Sequence, residues 1–126
     1  MNNVVDSSAW LEYFVGTKNA DNFAKVIENT KNLIIPTITI YKVFKKILQR
    51  KNRKNAIEII AHMKLGKIIE LNLGLSLKAA KLSIKFNLPM ADSIILATAQ
   101  EYNATVWTQD EDFKGIPGVK YLKKII

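Results

Sequence analysis

The sequence predicts an α/β protein: a parallel sheet covered by helices on both faces. Three observations carry this. Short apolar runs alternate with helical stretches of about 10–15 residues, the pattern of crossover-connected strands. The chain both begins and ends with strand-like segments, and pairs of helices separate some of the strands. At 126 residues and 48% hydrophobic, the chain suits one domain that buries a real core, roughly two-thirds of its unfolded surface.

The elements follow in order. Asn3 to Asp6 reads as a short buried strand, and Ser7 and Ser8 can cap the helix carrying Trp10, Leu11 and Phe14. Asn19 or Asp21 opens a second helix, with Phe23, Val26 and Ile27 on its apolar side. Leu33 to Ile35 is a second strand, ended by Pro36. The helix that follows runs to about Lys51; Ile40, Val43, Phe44, Ile47 and Leu48 mark its apolar face, and Lys42 lies opposite. Asn55 to Leu65 is helical, with Gly66 as its stop. Lys67 to Leu71 is a third strand, and Leu75 to Phe86 a helix broken by Asn87-Leu88-Pro89. Met90 to Tyr102 is the last helix, entered through proline. Thr105 to Trp107 and Val119 to Leu122 are the fourth and fifth strands.

Charge and composition narrow the function. There are 19 basic and 11 acidic residues, a net charge of +8, which favours polyanionic partners and nucleic acid first. Seventeen lysines against two arginines are also what AT-rich coding or growth at high temperature produces. The absence of cysteine excludes disulfides, thiolate metal sites and cysteine nucleophiles. The N-terminus lacks a signal-peptide pattern and no apolar run approaches a membrane span, so a soluble, cytoplasmic protein is expected. His62, the only histidine, sits mid-helix and reads as structural or surface. No P-loop, nucleotide fingerprint or nucleophile elbow occurs.

The carboxylates are the chemical signal. In parallel α/β sheets ligands bind beyond the carboxyl ends of the strands, where the strand order switches. Asp6 ends the first strand, Asp110 and Asp112 follow the fourth in T-Q-D-E-D-F, and Asp92 lies in the first turn of the helix before it. If the first and fourth strands are neighbours, these acids converge. Singly each has a plainer role, as a cap, a turn or a helix-dipole partner. Together they raise one another's pKa values unless a cation lies among them. An all-oxygen set favours Mg²⁺ or Mn²⁺, and such an ion suits phosphoryl chemistry. A phospho-accepting receiver domain would need an aspartate after the third strand, and K-I-I-E-L-N-L-G has none.

V-V-D-S-S-A-W-L-E-Y-F, I-I-P-T-I-T-I-Y-K-V-F-K-K-I, L-P-M-A-D-S-I-I-L-A-T-A and A-T-V-W-T-Q-D-E-D-F together resemble the PIN domain, and within it the VapC-type toxins of type II toxin–antitoxin systems. The match covers nearly all of residues 1–126 as a single domain. The resemblance implies a three-layer α/β/α fold around a mainly parallel five-stranded sheet. It implies a Mg²⁺- or Mn²⁺-dependent endoribonuclease acting on RNA, a small antitoxin partner and a homodimer. It makes Asp6, Asp92 and Asp110 the metal ligands and Asp112 an accessory acid. Ser7 and Thr108 become hydrogen-bonding supports. Lys45, Lys46 and Arg50, in the basic stretch Lys45 to Lys54, are RNA-backbone candidates, a solvated helix face being the plainer account.

One position departs: Lys42 stands where the family has glutamate, and the next acid downstream is Glu58, several turns away. A natural substitution, a mutation selected against toxicity and a shift in register all account for it. An ammonium here would satisfy the acids itself, so weak or absent Mg²⁺ binding is expected, with a weakened or inactive nuclease. The alternative is a non-catalytic PIN-like module that binds RNA or an antitoxin.

Overall fold

The structure, a computed structural model, describes residues 1–125. Its strands are β1 (Asn2–Val5), β2 (Leu33–Pro36), β3 (Lys67–Ile69), β4 (Ala104–Thr108) and β5 (Val119–Tyr121). Its α-helices are α1 (Ser7–Val15), α2 (Ala20–Ile27), α3 (Thr37–Arg50), α4 (Arg53–Met63), α5 (Leu73–Phe86) and α6 (Met90–Glu101). The strands form one sheet in the order β3-β2-β1-β4-β5, and every pairing is parallel. From β1 the chain builds outward through β2 and β3, then returns to lay β4 on the other side of β1. The strand order therefore switches between β1 and β4, where such sheets form crevices.

The period-2 alternation of the strands makes the three layers. Val4 and Ile34 point to a core shared with Leu75, Ala79 and Leu82 of α5 and Ile95 of α6. Val5, Leu33 and Ile35 point the other way, to Trp10, Phe23, Val43, Ile47 and Met63 of α1 to α4. Both faces are buried, so the strands read as continuous apolar runs. No helix among the described residues is long and apolar enough to cross a membrane.

Several boundaries differ from expectation for local reasons. Asp6 itself, rather than either serine, caps α1: its carboxylate accepts from the Ala9 N–H at 3.2 Å. Asn52 and Asn72 cap α4 and α5 through the N–H groups of Asn55 and Leu75, so both helices begin two residues earlier than expected and β3 stops at Ile69. Gly66 serves close approach rather than a left-handed turn: a Cβ there would lie 2.8 Å from Ile35 Cγ1 and 2.9 Å from Leu33 O. On α3 the apolar face is rotated from the expected one. Thr39 is fully buried and Leu48 is 41% exposed, because the helix packs on α1, α4 and α6 together.

Candidate active site

Pairing of β1 with β4 brings the acids together. Val5 lies opposite Trp107, and the Asp6 N–H donates to Trp107 O at 3.1 Å, so the two strands end side by side. Asp6, Asp92 and Asp110 each offer one oxygen within 4.8 Å of the others. Asp6 and Asp92 are 1% and 2% exposed, whereas Asp110 is half-buried. Asp112 is exposed outside this trio and donates its N–H to Asp110 Oδ1 at 2.9 Å.

The hydroxyls orient the acids. Ser8 Oγ donates to Asp6 Oδ1 at 2.7 Å and lies 3.4 Å from Thr108 Oγ1, while Thr108 Oγ1 accepts from the Asp110 N–H at 2.9 Å. The serine hydroxyl at Asp6 is thus that of Ser8, one residue beyond the expected Ser7. Asp6 holds the N-cap, and a side chain two residues into the turn reaches back to its carboxylate. Asp6 Oδ2 is buried with no hydrogen-bond partner among the described residues. Leaving a carboxylate oxygen so costs free energy unless a cation meets it. Burial, with some repulsion from Asp92, pushes the Asp6 carboxyl up to about 6 despite hydrogen bonds from Ser8, Ala9 and Thr108. The donor chemistry and the orphaned oxygen both fit a hard divalent ion.

Lys42 lies in this site. Its Nζ is 3.4 Å from Asp92 Oδ1, and its side chain is 32% exposed. Position 42 thus faces Asp92 from α3. Burial raises the Asp92 carboxyl above its ordinary range, Lys42 pulls it down, and Asp110 and Asp112 push it back up. Of the basic candidates, Lys45 places its Nζ 5.8 Å over the Tyr41 ring and shares a shallow apolar groove with Phe44 and Leu48. Lys46 is exposed. Arg50 instead lines a cleft with Ser8, whose hydroxyl bonds Asp6, and with Gln109, the residue before Asp110.

A buried network behind the acids was not anticipated. Glu12 accepts from the Asn19 N–H at 2.8 Å and from Gln109 Nε2 at 2.9 Å, and Asn19 Nδ2 donates to Gln109 Oε1 at 3.1 Å. Burial pushes the Glu12 carboxyl up, but bonds from Thr17, Gln109 and Asn19 with the charge of Lys124 hold it below the usual range. The network ties α1 to the residue before Asp110. The available signal was an acid set among the apolar residues of W-L-E-Y-F. His62 packs within 5.5 to 6.4 Å of the Trp10, Tyr13 and Phe14 rings, a structural place.

A three-layer parallel α/β domain with buried carboxylates at its strand-order switch defines a class of acid-cluster proteins. The PIN domain model matches residues 4–119, and the chain belongs to the PIN domain family. No curated protein matches by sequence. Solved structures match the fold. A toxin–antitoxin complex from Klebsiella pneumoniae superposes with a TM-score of 0.82 at 22% identity, covering 98% of this chain and 100% of that one. VapBC2 from Rickettsia felis, bound to a fragment of its promoter DNA, gives 0.74 at 15% identity, covering 98% of each chain. VapC20 from Mycobacterium tuberculosis, a toxin that cleaves the sarcin–ricin loop, gives 0.72 at 14% identity, covering 92% and 95%.

Proposed function

We propose that the chain is a VapC-type toxin, an endoribonuclease whose activity is weakened or absent because Lys42 replaces a carboxylate. The carrying observation is the trio Asp6, Asp92 and Asp110, drawn within 4.8 Å at the switch point of a PIN fold. Asp6, Asp92 and Asp110 would hold Mg²⁺ or Mn²⁺. Such an ion, when bound, supplies a Lewis acid for the scissile phosphate and a more acidic water. The chain's own residues keep that site in shape. Ser8 holds the Asp6 carboxylate and Thr108 holds the Asp110 backbone N–H, and a cation beside the buried Asp6 Oδ2 would bring the raised pKa of that carboxyl back down. Lys42 opposes this by engaging an oxygen of Asp92 that an ion would use. The toxin relatives support an RNA substrate and a small antitoxin as partner.

The Lys42–Asp92 pair also favours a second function, a non-catalytic module that binds RNA or an antitoxin. Cleavage of RNA by the chain and by Lys42→Glu separates the two. The nuclease proposal expects cleavage that rises at least about tenfold on Lys42→Glu, the span of one lost transition-state contact, and disappears again with Asp92→Asn. No Mg²⁺- or Mn²⁺-dependent cleavage by either protein would leave the binding module.

A further inference from the structure

The geometry points to a nucleotide subsite beside the carboxylates: a cleft that binds one RNA nucleotide next to the cleaved phosphate, with Arg50 and Lys124 on its phosphate. This rests on RNA being the substrate. The cleft has a volume of about 340 Å³ and opens from Ser8, the residue whose hydroxyl holds Asp6. Ligand pockets start at about 300 Å³, so one nucleotide is the right order of occupant. Its walls divide by chemistry. Leu11 and Val15 supply an apolar side on which a base can lie. Arg50 and Lys124, both exposed, supply two positive charges.

The cations reach the cleft by separate routes. Arg50 ends α3, the helix that carries Lys42. Lys124 is delivered by the backbone: the Leu122 N–H donates to Thr108 O at 2.8 Å, and Asn19 Nδ2 donates to Lys123 O at 3.0 Å. Glu12 also lines the cleft, but both its oxygens are taken by Asn19 and Gln109. Glu12 and Lys124 offset one another, so the cleft keeps one net positive charge, with Arg50, for an external anion. A guanidinium forks onto phosphate and an ammonium adds a point charge, and together they suit a polyanionic strand better than an apolar protein segment.

The test uses a short fluorescein-labelled, 2′-O-methylated single-stranded RNA in EDTA, read by anisotropy across a salt series. Each phosphate contact on a single strand contributes about 0.7 to the salt slope. The Arg50→Ala/Lys124→Ala variant should lower the slope by about 0.7 and weaken binding roughly fivefold at about 0.1 M salt. The control Lys81→Ala/Lys85→Ala removes the same charge from exposed positions of α5, across the sheet, and should cost under about threefold by screening. Cross-linking of 4-thiouridine RNA to the unaltered chain should map to Leu11–Val15 or the segment around Lys124. Equal losses by the two variants, or cross-links confined to other surfaces, overturn the subsite and leave the cleft to another occupant, such as a protein segment. The binding readout needs no cleavage: a chain inert with Lys42→Glu can still show the subsite, and an active one can still lack it.

Discussion

Replacing Lys42 by glutamate reverses the one positive charge at 3.4 Å from Asp92. Two unit charges at that distance attract by about 5 kcal/mol at an effective dielectric of about 20. The lysine side chain is 32% exposed, so water screens the pair, and Asp92 has already lost its hydration. The net worth of the pair is then about 1–2 kcal/mol. Lys42→Glu removes that attraction and adds repulsion of similar size, so the metal-free protein should lose about 2–4 kcal/mol. At this chain length that corresponds to a fall of roughly 6–16 °C in Tm. Lys42→Met should lose about half as much, since it removes the cation without adding an anion. Calorimetry in EDTA at low salt reads both. Saturating Mn²⁺ should then restore Lys42→Glu by about 3 kcal/mol at a concentration a hundred times its Kd, and move the unaltered chain much less. If Lys42→Glu melts with the unaltered chain in EDTA, and Mn²⁺ raises both equally, the ammonium does not neutralise this cluster and the account of the weakened metal site fails.

Two further outcomes follow from the geometry. The Asp6 carboxyl moves from an ordinary 3.8 to about 6, so the native state holds its proton more tightly than the unfolded chain. Its stabilising contribution is complete below about pH 4 and lost as the pH rises through about 6, a change of about 3 kcal/mol relative to Asp6→Asn. Urea denaturation of both proteins in EDTA across this range checks it, and parallel pH profiles would sink it. Gly66→Ala should destabilise by about 1–3 kcal/mol, because its Cβ meets Ile35 and backbone oxygen at Leu33 within 3 Å; an unchanged urea midpoint would contradict this.

How much was legible in the sequence can be traced through particular residues. Strand and helix alternation is a local property, set by apolar periodicity and by the phases of Val4, Val5, Ile34 and Ile35 against two cores. Asp6, Asp92 and Asp110 were legible as candidates because their chain positions, at strand ends and a helix start, translate into places on the sheet edge. Their meeting needed β1 beside β4, which alternation suggested and the strand order supplies. Boundaries were less legible, since Asn52 and Asn72 compete for caps through side-chain bonds of similar strength to their neighbours'.

By itself, then, the sequence determined the α/β layering, the lysine-rich surface, the absence of cysteine chemistry and the identity of the acids. Those are matters of residue type and short-range period. Only the tertiary structure decided that Lys42 meets Asp92 across fifty residues of chain, that Ser8 rather than Ser7 holds Asp6, and that Arg50 and Lys124 share a cleft. Each of these depends on the rotation of a helix about its axis or on which strands are neighbours. Both are settled by burying apolar faces from distant segments together, so a polar side chain's partner is a consequence of packing that no local pattern contains.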